Sequence, residues 1–201
     1  MSKEQLPGGR IVGIAVLFEG GLIVLAWGLG LLLDTPFGEQ TFVTAPAIGL
    51  GIAATMPLFL SLYATIRSSW PVLVRLRRVI EEQVVPLFAG CTVWGIAAIS
   101  ILAGVGEEAL FRGVIQTNFT GAMGVVPALL VTSVLFGLVH FVTSTYAVMA
   151  GIIGLYLGMI SIWSGNLLVP MVVHALYDFV ALMYLARYMR PAPESSVAEA
   201  G

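Results

Sequence analysis

Residues 11–33 read IVGIAVLFEGGLIVLAWGLGLLL, an apolar run interrupted by a single charge, Glu19. A helix crosses the bilayer core with about 20 apolar residues at 1.5 Å each, so this run is long enough to span. It exceeds the ~7–15-residue apolar stretch of a signal peptide, and no clear small-residue cleavage site precedes Asp34, so it reads as a retained helix. Similar runs recur along the chain. Spans are predicted at roughly 11–33, 42–66, 86–104, 125–141, 146–163 and 167–185, the third continuing as helix to about Gln116. Backbone groups in lipid must be satisfied internally, and no alternating strand pattern of ~10 residues appears, which favours helices over a barrel. The predicted fold is therefore all-α: a polytopic transmembrane bundle of about six spans, forming one integral membrane domain over residues 1–201.

Composition agrees. Hydrophobic residues make up 59% of the 201 and charged residues only 10%, against about 25% charged in soluble domains. A net charge of -2 without a basic tract excludes the electrostatic footprint of a nucleic-acid binder. Cys91, alone in an apolar run, can form no intrachain disulfide and no paired metal ligand, and reads as packing.

Pro71 opens a segment in which Val72, Leu73, Leu76, Val79, Ile80 and Val84 recur at helical spacing opposite Arg75, Arg78, Glu81 and Glu82. That is the pattern of an amphipathic helix lying in the membrane interface. With the N-terminus inside, six crossings place Lys3, Arg10, Arg67, Arg75, Arg77, Arg78, Arg187 and Arg190 on the inner side, and only Asp34 and Glu39 in the first outer loop. The positive-inside rule thus predicts both termini in the cytoplasm, most naturally of a cytoplasmic membrane, with Arg112 the one exception. Gly151, Gly154 and Gly158 in the fifth span allow close helix packing.

Ionisable groups at membrane depth cost ~2.5–3.5 kcal/mol each on insertion scales, so those inside apolar runs point to function. The second half of the chain holds GVGEEALFRG with Glu107, Glu108 and Arg112, FGLVH with His140, and HALYD with His174 and Asp178. Glu108 and Arg112, four apart, share a helix face and can neutralise each other. Glu107 is rotated by about 100° and is free to meet another partner. A purely structural ion network of these three is the alternative. His174 and Asp178 repeat the four-residue spacing, while His140 taken singly reads as an interhelical hydrogen-bonding histidine.

Depth brings the groups together. Glu107 lies on the order of 20 Å from the turn near Gly121, His140 roughly 25 Å from it, and His174 about 14 Å from the turn near Gly165. All fall within about 10 Å of one another in a ~30 Å slab, as one polar pocket requires. Glu, His, His and Asp in such a pocket are the parts for hydrolysis: a base for water and donors for an oxyanion. No Ser or Cys occupies a nucleophile motif beside them, and HExxH is absent, although two His and a carboxylate suit zinc. Glu19 either faces the bundle interior or snorkels toward the inner interface near Arg10.

The ordered set EExxxR, FxxxH and HxxxD, across roughly residues 86–185, resembles the CPBP family of intramembrane proteases (CAAX proteases and bacteriocin-processing enzymes, also called Abi), which includes the eukaryotic CAAX prenyl endopeptidase. The resemblance implies an intramembrane endopeptidase that hydrolyses a peptide bond of a membrane-associated or small peptide by glutamate-activated water. Glu107 would activate the water with help from His140, Glu108 and Arg112 would support them, and His174 would help to stabilise the oxyanion. Asp178 occupies a position where the family often has Asn, and an ionised Asp cannot donate to an oxyanion. No cofactor is expected on this reading; in the competing zinc-dependent view, His140, His174 and Asp178 would hold the metal. The implied partners are a peptide or protein substrate and the lipid bilayer. The rival expectation is a non-catalytic membrane scaffold or immunity factor that binds a peptide in the same pocket.

Overall fold

In the computed structural model, which describes residues 8–88 and 90–188, every regular element is helical. Helix α1 (Gly8–Leu32) buries Ala26 and Gly30 but leaves Leu17, Phe18, Val24, Trp27 and Leu32 exposed. A helix apolar on all sides and mostly unburied is at home in lipid. After a 3-10 turn at Phe37–Gln40, the chain returns through α2 (Ala45–Ala54) and α3 (Met56–Arg67). The predicted span 42–66 is thus present as one helical stretch, Ala45–Arg67, with an irregular turn at Thr55. Pro57 has no N–H to offer the ladder, and the Thr55 hydroxyl donates to the Gly51 carbonyl at 2.9 Å.

The predicted interfacial helix forms α4 (Pro71–Val79), then a π-helical turn over Ile80–Val84 and the short α5 (Val85–Phe88). Leu76 and Val85 are buried while Arg75, Arg78, Glu81 and Glu82 are exposed, so the two predicted faces are present. The Arg77 guanidinium donates to the Ile66 carbonyl near the end of α3.

The predicted span 86–104 is displaced. The chain starts again at Val93, where the Thr92 hydroxyl accepts from the Gly95 amide at 3.1 Å and caps α6 (Val93–Glu108). The helix continues past Gln116, through π-helical turns over Ala109–Gln116 into α7 (Thr117–Met123). Helix α8 (Val125–Val139) is short and stops before His140, whose backbone at φ -92°, ψ 19° has left the helix. Helix α9 (Ser144–Ser164), capped by Thr143, ends at Gly165 in left-handed conformation, and α10 (Leu168–Tyr188) follows.

Among the described residues, five helical stretches are long and apolar enough to cross a membrane, and α8 is a shorter sixth. The protein is an all-α, multi-pass membrane bundle. Its most enclosed span is α6–α7; α6 packs against α1 and α10, and α8 packs against α9. At one end, Leu167 donates to the Gln40 carbonyl and the Asn166 side chain pairs with the backbone of Phe42, tying the α1–α2 loop to the α9–α10 turn. The opposite end carries Arg10, Arg67, the arginines of α4 and Arg187. Lys3 and Arg190, also predicted for that side, lie outside the described residues. Exposed Trp70 and Trp94 mark the basic end and Trp27 and Trp163 lie toward the other, as interfacial belts do.

Candidate active site

The site is built on α6 where two glycines let its neighbours close in. A Cβ on Gly104 would fall 2.8 Å from the Cβ and amide nitrogen of Ala175 and from the Met171 carbonyl. Only a glycine allows α10 to lie this close at Ala175, the residue after His174. On the other side, a Cβ on Gly106 would fall 2.8 Å from the carbonyl of Glu19, so α1 is held equally near.

Glu108 is 0% exposed and its Oε1 is the acceptor for two donors. Arg112 Nη1 donates at 2.9 Å and His174 Nδ1 at 2.8 Å. Arg112 is itself 2% exposed; its Nη2 donates to the Gly154 carbonyl at 2.8 Å, and its guanidinium carbon lies 4.5 Å from the Phe136 ring centroid. Charges taken out of water hold only when paired and hydrogen-bonded; this cluster pairs Glu108 Oε1 and both Arg112 Nη atoms, while Glu108 Oε2 and Arg112 Nε have no partner among the described residues. Gly154 has two jobs here. Its carbonyl takes Arg112, and a Cβ on it would press to 3.0 Å on Phe136. The π-helical turns after Glu108 also shift the helix register, a feature frequent at functional sites, and the Thr117 hydroxyl takes up the Arg112 carbonyl at 3.0 Å.

Glu107 faces elsewhere, as its helical phase requires. It is 8% exposed, with Oε2 3.4 Å from His140 Nε2, longer than a well-made hydrogen bond. His140 is fixed by its other nitrogen, since Nδ1 lies 2.8 Å from the Phe136 carbonyl, which can only accept. Nδ1 therefore carries the hydrogen, and Nε2 is the nitrogen presented to Glu107. Phe136 lies against both imidazoles, at 4.4 Å from His140 with rings 31° apart and edge-on to His174 at 6.0 Å. His174 Nε2 is 3.5 Å from Asp178 Oδ2 one turn along α10.

These groups open into a cavity of about 320 Å³ lined by Glu19, Glu107, His140, Tyr146, His174 and Asp178, with apolar walls from α3, α4 and α9. It reaches Thr65 and Leu185, just before Arg67 and Arg187, and so runs toward the basic end of the bundle. The structure thus brings all six predicted site residues into one connected group. Among the described residues, no three His, Cys, Asp or Glu side chains are arranged to hold a metal ion.

Two features escaped the sequence reading, and a third had been left open. The contact from Glu108 to His174 joins helices far apart in sequence, and nothing in either motif signals it. Phe136 was visible only as the residue one turn before His140. Glu19 proves to face the interior rather than the interface, partly buried and on the cavity wall.

Residues 89–180 match the family described as type II CAAX prenyl endopeptidase Rce1-like. An uncharacterized protein of Bacillus subtilis (strain 168), YpbD, is 33% identical over 97 residues, which is 47% of this chain and 47% of that protein. The chain therefore spans about half the length of this relative. No solved structure matches it. The resemblance carried by EExxxR, FxxxH and HxxxD holds over the matched segment, which contains all six site residues.

Proposed function

We propose, with the Rce1-like match of residues 89–180 as premise, that this membrane protein is an intramembrane endopeptidase using water activated by Glu107 and His140. The observation that carries the reading is the Glu107–His140 pair on the cavity wall, with the His140 Nδ1 hydrogen committed to the Phe136 carbonyl. A carboxylate and an imidazole lone pair that face each other share room for one proton, which is what a base for water needs. In the reaction, the water oxygen bonds to the carbonyl carbon of the peptide and the water proton passes to this pair. The oxyanion lies at His174 Nε2. That nitrogen's contact with Asp178, at 3.5 Å, is loose enough for an incoming oxygen to take its place. The C–N bond then breaks, the amine leaves with the proton returned by the Glu107–His140 pair, and the hydroxyl proton of the new carboxyl group passes to the released amine, so a carboxylate and an ammonium remain. Glu108 and Arg112 touch no substrate; they fix His174 through Nδ1.

No step needs a metal. The substrate is a peptide or protein at or in the membrane that enters from the basic end, the cytoplasmic side of a cytoplasmic membrane, and no nucleic acid takes part. The described residues act as one membrane domain, with the matched segment as its reactive core. The test is to incubate purified, liposome-reconstituted protein with small and membrane-anchored peptides and identify products by mass spectrometry. Glu107→Gln should abolish product while leaving thermal unfolding within experimental error. Near wild-type cleavage by that variant would overturn the reading. Binding without cleavage by the wild type would favour a peptide-binding scaffold.

A further inference from the structure

We infer that Glu19 is a substrate-positioning residue that receives a positively charged side chain of the bound peptide; this rests on the endopeptidase reading above. Glu19 lies in the first span, outside the three motifs and outside the matched segment 89–180. Its backbone is fixed against α6, because the bare Gly106 lets the Glu19 carbonyl sit where a Cβ would be 2.8 Å away. From there the side chain reaches the wall of the same cavity that holds Glu107 and His174. Its Oε2 is buried and, among the described residues, has no hydrogen-bond partner.

The neighbouring groups explain why that oxygen calls for a cation from outside the chain. Glu108 is matched by Arg112 and His174; His140 is turned to Glu107 and the Phe136 carbonyl; His174 is already shared by Glu108 and Asp178. Three carboxylates, Glu19, Glu107 and Asp178, therefore line the cavity against two imidazoles that are both engaged, and among the described residues no Lys or Arg lines it. A carboxylate buried without a partner is costly, and a cationic group brought by a ligand removes the deficit. A Lys or Arg side chain supplies the donors as well as the charge. Because Glu19 stands on a helix with no part in water activation, its effect should fall on which peptide is taken and little on how the bond is broken.

The experiment uses full-length protein in liposomes and peptide sets in which each position flanking the cleaved bond carries Lys, norleucine or Glu in turn. Wild type should prefer Lys over norleucine by at least about tenfold in kcat/KM at one position, chiefly through KM. Glu19→Gln should bring that ratio close to one, Glu19→Asp should restore part of it, and Glu19→Lys should shift the preference toward the Glu peptide. The same ratios are read as binding affinities on Glu107→Gln protein, which needs no turnover. A cation preference in binding that disappears in the Glu19→Gln, Glu107→Gln double variant supports the inference even if the wild type cleaves nothing, in which case only the endopeptidase reading fails. An absent preference in the wild type, or one that survives Glu19→Gln and Glu19→Lys, overturns it. A Glu19 variant that only lowers thermal stability, with the ratio unmoved, overturns it too.

Discussion

Gly104 faces α10 one turn before the paired glutamates, and alanine at this position would set a Cβ 2.8 Å from Ala175 and from the Met171 carbonyl. Ordinary contact begins near 3.4 Å, so α6 and α10 would have to part by about 0.6 Å. The atoms in the way are backbone and a methyl group, which have no rotamer to escape into. The opening lies one turn from the hydrogen bond between His174 and Glu108, now 2.8 Å, and would stretch it toward the edge of hydrogen-bonding range. Overpacking of this kind costs about 1–3 kcal/mol. Displacing a reacting group by about 1 Å lowers rates by as much as ~10²-fold. Gly104→Ala should therefore lower the unfolding temperature modestly and the cleavage rate by roughly ten- to a hundredfold, mostly in kcat. The assay is steady-state peptide cleavage and thermal unfolding on the same reconstituted sample. Wild-type rate and stability in Gly104→Ala would refute the claim that close approach of α6 and α10 sets the geometry of the site.

Glu108→Gln keeps the shape but removes the charge opposite buried Arg112, so it should destabilise by ~3–5 kcal/mol, read from denaturant unfolding in detergent; unchanged stability would show that the pair is not a structural anchor. Asp178→Asn offers a neutral amide beside His174, and should retain at least about a tenth of the wild-type rate, a barrier change of no more than ~1.4 kcal/mol. A larger loss together with stoichiometric zinc in the purified wild type would sink the metal-free mechanism. For orientation, reporters fused at Gly38 and at Arg78 should fall on opposite sides of the membrane, with Arg78 inside; the same side for both would overturn the six-span topology.

How far sequence reaches depends on whether a feature is local. The apolar run of α1 and the charged face of the Pro71 helix are periodic over a few turns, so their character was legible at once. Helical phase likewise separated Glu107 from Glu108 before any partner was known, and the two do meet different histidines. Boundaries were less legible because they turn on single capping groups. Thr92 starts α6 with its hydroxyl, and Thr55 with Pro57 makes an irregular turn within the second span, yet neither disturbs the run of hydrophobicity that located the spans. His140 was read inside a helix but lies at its end, where the freed ring can turn back to the Phe136 carbonyl. Contacts between helices were least legible of all. Depth placed His174 at the level of the glutamates, but which carboxylate it meets depends on the rotation of α10 about its own axis, and that is fixed by the missing side chain at Gly104.

Phe136 has a consequence for the solvent itself. One face of its ring lies toward Arg112, while the same side chain forms part of the cavity wall beside His140. An aromatic ring there acts as a partition only a few ångströms thick between a chamber that must admit water and an ion pair that must be kept from it. The two glutamates, adjacent in the chain, consequently live in different dielectric surroundings: Glu107 where water can arrive and be polarised, Glu108 where its attraction to Arg112 is left unscreened. On the proposed endopeptidase reading, the site is thus wet at its reacting bond and dry at its anchor within one turn of helix.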